Sequence, residues 1–194
     1  MAVKKVRDHY FNRAKREGYA ARSAYKLEEI DRKHRLLHKG MRVLELGCSP
    51  GSWLQYVAKR IGSEGRTLGV DLQTVNVGFP KNVRTLQEDV FGLTPEQLPP
   101  DSFDLILSDM APRTSGIRSL DADRCYALNQ QVLTLSEKHL KSGGNLLVKA
   151  FQGAPFERLR QEFREVFEEV RICKPHSSRS ESVEIFLLGQ RKWS

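Results

Sequence analysis

This sequence predicts an α/β fold: a Rossmann-like, mostly parallel, seven-stranded sheet with helices on both faces. Three observations carry that expectation. Short runs rich in Val, Ile and Leu alternate with helical patterns along the chain. A glycine-rich turn separates the first such run from the helix after it, and later runs end in a polar residue, Asp71, Asp109 or Lys149. A chain of 194 residues can bury most of its apolar surface in one core and is short for two full domains.

The elements follow in order. Ser23–His34 reads as a helix with Tyr25, Leu27 and Ile30 on one face, and Gly40 closes that segment. Arg42–Leu46 is a buried strand, followed by the glycine turn and a helix over Ser52–Ile61. Arg66–Val70, Val83–Leu86 and Phe103–Ser108 are the next strands. A long helix around Arg124–Leu140 stops at Lys141-Ser-Gly-Gly before a fifth strand, Asn145–Ala150. A helix over Phe156–Glu168 precedes short strands near Val170–Cys173 and Val183–Leu188. In sheets of this kind ligands bind at the carboxyl ends of the strands, which is where chemistry is to be sought.

The apolar runs are strand-sized, far short of a membrane span, and the polar N-terminus is no secretory signal. Asp8 and Glu17 fit a mitochondrial leader badly. Three scattered cysteines without a CxxC pair favour a reducing, cytoplasmic setting and argue against structural zinc, so no metal is expected. The charge is uneven. Residues 1–39 hold 12 Lys/Arg against 5 Asp/Glu, whereas residues 40–194 hold 20 against 19. Residues 1–39 thus read as a basic arm and helix ahead of a nearly neutral body, 40–194. A charge run is equally well a solvated helix face or a polyanion surface; the interleaved Tyr10, Phe11, Tyr19 and Tyr25, able to stack on bases, favour nucleic acid.

The first strand end carries Glu45-Leu-Gly47-Cys-Ser-Pro-Gly51-Ser-Trp53, and Asp71 lies 20 residues beyond Gly51. Glycines let the backbone turn tightly and approach a ligand, and a carboxylate at Asp71 can accept from both ribose hydroxyls. The spacing is GxxxG rather than the dinucleotide GxGxxG. A cofactor with adenosine and no pyrophosphate fits better, S-adenosylmethionine being the common one; a purely structural turn is the bland alternative. Asp89 could accept from an adenine amino group or be a surface-turn residue, and Trp53 could shield the cofactor or pack its helix. Asp109 and Lys149 end apolar strands at the same edge, as a catalytic pair or a structural ion pair.

The runs Gly18-Tyr-Ala-Ala-Arg22-Ser-Ala-Tyr-Lys26-Leu, Leu46-Gly-Cys-Ser-Pro-Gly-Ser-Trp53, Ser108-Asp-Met-Ala-Pro112, Lys149 and Lys174-Pro-His-Ser-Ser-Arg179 with Ser182-Val-Glu184 resemble, in order, the FtsJ/RrmJ (RlmE) family of ribose 2′-O-methyltransferases. The resemblance implies an S-adenosylmethionine-dependent methyltransferase fold and a catalytic tetrad of Lys26, Asp109, Lys149 and Glu184. It implies cofactor contacts at Gly51, Trp53, Asp71, Asp89 and Asp109, with Gly47 in the same turn. This sequence has Ala20 where the family usually has arginine, Cys48 and Ser52 in the cofactor turn, and Arg113 where asparagine is frequent.

Lys149 is expected to remove or receive the proton of the 2′-hydroxyl, or to stabilise the developing alkoxide as a cation. RNA would be gripped by Lys4, Lys5, Arg7, Arg13, Lys15, Arg16 and Arg22, helped by Lys174 and Arg179. The expected substrate is a uridine of large-subunit ribosomal RNA, free or in the subunit, methylated by a monomer. Alternatives are the transfer RNA anticodon loop, a small-molecule or protein methyltransferase, and a non-catalytic ribosome-assembly factor.

Overall fold

A computed structural model describes residues 2–94, 97–98, 103–178 and 182–194, with side chains from residue 9 onward. The chain runs α1 (Ala2–Glu17), α2 (Ala24–His34), β1 (Arg42–Leu46), α3 (Ser52–Ile61), β2 (Arg66–Asp71), β3 (Val83–Gln87), a short 3₁₀ turn (Val90–Gly92), β4 (Phe103–Ser108), α4 (Arg118–His139), β5 (Leu140–Phe151), α5 (Ala154–Val166), β6 (Phe167–Cys173) and β7 (Glu184–Lys192). One seven-stranded sheet results, in the order β3-β2-β1-β4-β5-β7-β6. β1 to β5 are parallel, and β7 is inserted antiparallel between β5 and β6.

Strand side chains alternate between faces, and the two cores follow that period. On one face Leu44, Leu46, Ile106, Leu146, Val148 and Leu187 pack against α4 and α5 through Val132, Leu133, Leu159 and Phe163. On the other, Val43, Leu105, Leu107, Leu147, Phe186 and Leu188 pack against α2 and α3 through Leu27, Ile30, Trp53, Val57 and Ile61. Side chains of this size each stabilise the fold by about 1.5–3 kcal/mol when fully buried.

The expected strands and helices are present with ends shifted by up to four residues, and three differences are larger. Residues 2–17, expected only as a basic arm, form a full helix whose last turns dock on α2. α4 begins at Arg118, six residues before the expected Arg124, because Asp121 anchors its first turn: its carboxylate accepts from Ser115 N (2.7 Å), Ser115 Oγ (2.8 Å) and Gly116 N (3.3 Å). Leu120 in that turn is exposed, so no apolar period marks it. Finally, β5 starts at Leu140, where Lys141-Ser-Gly-Gly was expected to be a helix stop. The segment instead passes through a register shift beside Phe103–Leu105 and joins the strand.

Candidate active site

The same period of two builds the site. Val43 and Glu45 on β1, Leu105, Leu107 and then Asp109 beyond β4, Leu147 and Lys149 on β5, and Leu188, Phe186 and Glu184 on β7 step along one face of four neighbouring strands. At the carboxyl edge of β1, β4 and β5 that row changes from apolar to ionisable. Lys26, from α2, meets it from above.

Lys149 is 7% exposed. Its Nζ lies 3.1 Å from Asp109 Oδ1 and donates to the Asp109 carbonyl at 2.5 Å. From behind, Asn129 of α4 donates to the Lys149 carbonyl at 3.0 Å. Lys26 Nζ donates to Glu184 Oε2 at 2.9 Å, and Ser182 Oγ donates to the same oxygen at 3.1 Å. The four residues expected to form the tetrad are therefore brought together as two ion pairs. Burial raises the Asp109 carboxyl, with Lys149 and Lys26 opposing. Burial also pushes Glu184 up, but attraction to Lys26, its hydrogen bond and Lys149 outweigh this and hold it below the usual range. A cleft of about 610 Å³ opens here, lined by Arg22, Lys26, Arg118, Phe151, Gln152 and Glu184 among others.

Next to it lies the glycine turn. Gly47 has φ +77°, and a Cβ there would sit 2.7 Å from Met110 Cγ; Gly51 has φ +106°. Only glycine allows both the turn and this approach. Asp71 Oδ2 accepts from Ser49 N and Oδ1 from Gln73 N, each at 2.8 Å, so the turn is drawn to the end of β2. Each oxygen keeps a further lone pair for a hydroxyl. Glu45 is 1% exposed and its buried Oε2 has no hydrogen-bond partner. Burial, then repulsion from Asp109 and Asp71, raises its carboxyl well above the normal range. An unpartnered acid beside Asp109 suits a cationic amine, and Asp71 suits a ribose. These residues fit S-adenosylmethionine on the chemistry of their donors and acceptors.

The other expected residues stand in varied surroundings. The Trp53 indole is fully buried, donates from Nε1 to Ser23 O at 2.8 Å and lies against Phe186, which is the packing role. Only its backbone, at the start of α3, can face a cofactor. One Asp89 oxygen caps the 3₁₀ turn by accepting from Phe91 N at 3.0 Å. Arg13 is committed internally: it pairs with Glu17 and Glu28 and covers the Tyr25 ring at 4.2 Å. Tyr25 is buried, and Tyr10 and Tyr19 pack on it, so among the four aromatics Phe11 stands out as exposed. Lys15, Arg16 and Lys174 are exposed, and Arg22 donates to Ser177 O at 2.9 Å from the cleft wall. The side chains of Lys4, Lys5 and Arg7, and all of Arg179, lie outside the described residues.

Other residues that shape the site carried no sequence signal. Glu29 accepts from His176 N (2.6 Å) and Ser177 N (3.0 Å), fixing the β6–β7 connection, yet in α2 it reads as a solvated charge. Ser52 Oγ lies 2.8 Å from Ser23 Oγ and ties α3 to the start of α2. Arg118 and Gln152 reach the cleft only through tertiary packing. Among the described residues no group of three or more His, Cys, Asp or Glu side chains is placed to hold a metal ion, and no helix is long and apolar enough to cross a membrane.

The chain is similar to known proteins over almost its whole length. A ribosomal RNA large subunit methyltransferase E of Oleidesulfovibrio alaskensis is 47% identical over 191 residues, covering 96% of this chain and 92% of its own. The protein of that name from Syntrophobacter fumaroxidans is 45% identical, covering 96% of each chain. A crystal structure of a ribosomal RNA methyltransferase from Plasmodium falciparum superposes with a TM-score of 0.80 at 27% identity, covering 91% of this chain and all of that one. With the FtsJ-like methyltransferase family model matching residues 19–192, the chain belongs to that family, whose methyl donor is S-adenosylmethionine.

Proposed function

We propose that this enzyme methylates a ribose 2′-hydroxyl of a uridine in large-subunit ribosomal RNA. The observation that carries the reading is the pair of partly buried lysine–carboxylate contacts, Lys149–Asp109 and Lys26–Glu184, at the sheet edge beside the glycine turn. A hydroxyl is a poor nucleophile until its proton is removed or polarised, and two amines held by two carboxylates suit that task. The curated relatives named for large-subunit RNA supply the substrate class.

S-adenosylmethionine, when bound, supplies a methyl group activated by a sulfonium. The Gly47–Gly51 backbone, Asp71 and Asp89 would hold its adenosine, and Glu45 and Asp109 its amino group. In its neutral form Lys149 accepts the hydroxyl proton, or as an ammonium it stabilises the developing alkoxide, and Asp109 fixes its amine. Lys26 fixes the ribose end of the cleft, with its own amine oriented by Glu184 and Ser182. Positioning the 2′-oxygen in line with the methyl accounts for much of the acceleration. Lys15, Arg16, Arg22 and Lys174 contact phosphates, within a basic N-terminal unit (1–39) serving a methyltransferase unit (40–194).

The test is methyl transfer from isotopically labelled S-adenosylmethionine to unmodified large-subunit RNA, large-subunit particles and transfer RNA, followed by mass spectrometry of nucleosides. 2′-O-methyluridine in large-subunit RNA or particles is the expected product. Label confined to transfer RNA, or on a base, would overturn the reading.

A further inference from the structure

We propose that the amino edge of the sheet, opposite the reaction edge, carries a second anion-binding groove that holds the phosphates of a separate segment of the folded RNA substrate. The groove, of about 560 Å³, is lined by Arg42, Arg66, Lys81 and Arg84 with Gln97 and with Asn82, whose amide donates to Gly62 O and Gly65 O, and no described lining residue is acidic. All four cations are exposed.

Strand register puts the arginines in a row. Arg42 pairs with Arg66 across β1–β2, and Leu68 pairs with Arg84 across β2–β3. Paired residues of parallel strands share a face, and Leu44 and Leu68 mark it as the α4/α5 side, whereas Val83 is buried on the other. Three guanidinium groups thus start from three adjacent strands spaced about 4.8 Å apart. Like charges on neighbouring strands are unfavourable unless something neutralises them. Among the described residues none of the four forms an ion pair, although Arg191 pairs with Glu168 and Glu169, and Arg160 with Glu157. Asp104 is already used, by Lys141 at 2.7 Å and by the Arg42 backbone N–H at 2.7 Å.

Residues 40–194 hold 20 Lys/Arg against 19 Asp/Glu, so this excess is local and not a reflection of a basic body. Forked guanidinium groups match phosphate oxygens, and the groove lacks the exposed aromatic anchors that dominate protein interfaces. At about 3.3 Å per residue, a five-residue strand sets the groove roughly 15 Å from the reaction edge. A ribose at Lys149 and a phosphate at Arg66 then belong to different segments of one folded RNA. The inference rests on the RNA reading above.

The experiment compares wild type with Arg66→Glu/Arg84→Glu and with the milder Arg66→Gln/Arg84→Gln, each checked for folding by thermal melting. Binding is measured against salt for full-length large-subunit RNA, for large-subunit particles and for the shortest fragment that wild type methylates. For the long RNA, affinity is expected to fall at least about tenfold and the log–log salt slope by roughly 2, one unit per phosphate contact. For the fragment, affinity and single-turnover rate are expected to stay within about twofold. Should charge reversal prevent folding, the glutamine pair is expected to show the same loss of slope. Unchanged binding of the long RNA, an equal loss on both RNAs, or a loss seen only on protein-containing particles would each overturn the groove as an RNA site. Wild type failing to methylate large-subunit RNA, its fragments and large-subunit particles alike would instead overturn the underlying reading.

Discussion

Replacing Lys149 by methionine separates its chemistry from its packing, because the two side chains have similar length and the amine alone is lost. The lysine side chain is 8% exposed, and its Nζ serves both Asp109 Oδ1 and the Asp109 carbonyl. Removing one partner of a buried ion pair costs about 3–5 kcal/mol. Asp109 retains some solvent contact and can take up a proton, its carboxyl already being raised by burial, so a loss near 2 kcal/mol is expected. For a chain of this size that lowers Tm by roughly 4–8 °C. The effect on rate is larger and separable: loss of a proton acceptor slows transfer about 10²–10⁴-fold. The assay is single-turnover methylation with RNA and S-adenosylmethionine both saturating, and cofactor affinity measured by calorimetry. A rate within tenfold of wild type, with cofactor bound, would refute the assignment. Lys149→Arg then divides the two roles: recovery of rate points to the permanent cation, continued loss to proton transfer.

Four further outcomes are expected. In Glu45→Gln the cofactor-free protein should gain stability relative to wild type as pH rises. Glu45 has a raised carboxyl in the fold, so its favourable contribution is complete below the unfolded value of 4.5 and is lost as pH climbs through the window above it; thermal melts from pH 4.5 to 8 check this. The same variant should bind S-adenosylmethionine about 10–100-fold more weakly, since a hydrogen bond to a charged partner is worth about 1.5–3 kcal/mol. In the N-terminal unit, Lys15→Glu/Arg16→Glu should reduce the salt slope of RNA binding by roughly 2. Arg13→Ala should leave that slope unchanged and lower Tm by about 2–4 °C, through loss of its Tyr25 and carboxylate contacts.

The parts of the fold that could be read from sequence are those where burial imposes a local period. β1, α3 and β4 fall on their expected residues because apolar runs there end at glycine, proline or a charged residue. α1 was invisible as a helix because its apolar positions are few and what it buries is supplied by α2: Arg13 and Tyr25 meet across 12 positions of chain. The same tertiary pairing reversed the reading of its aromatics, since a tyrosine that stacks on another tyrosine looks no different in sequence from one that stacks on a base. Cations show the converse problem. Arg13 and Arg16 are equivalent in composition, but one faces Glu17 and Glu28 while the other is exposed.

For the site, the legible half was the half on the parallel strands. Asp71, Asp109 and Lys149 end apolar runs, and a polar residue there has few structural reasons to exist, so position alone raised the question of chemistry. Lys26 and Glu184 could not be singled out this way. Lys26 lies in a helix among other charges, and Glu184 opens a strand whose direction relative to β5 no pattern reveals. They meet only because β7 runs antiparallel, bringing Glu184 opposite Phe151 and two residues from Lys149 along the pleat. A parallel β7 would have put its carboxyl end at that edge and left Glu184 at the far side, on the order of 25 Å away for a nine-residue strand. The inverted strand is therefore what converts a lysine–aspartate pair, common as a structural contact, into a four-residue site with a second amine facing the cleft.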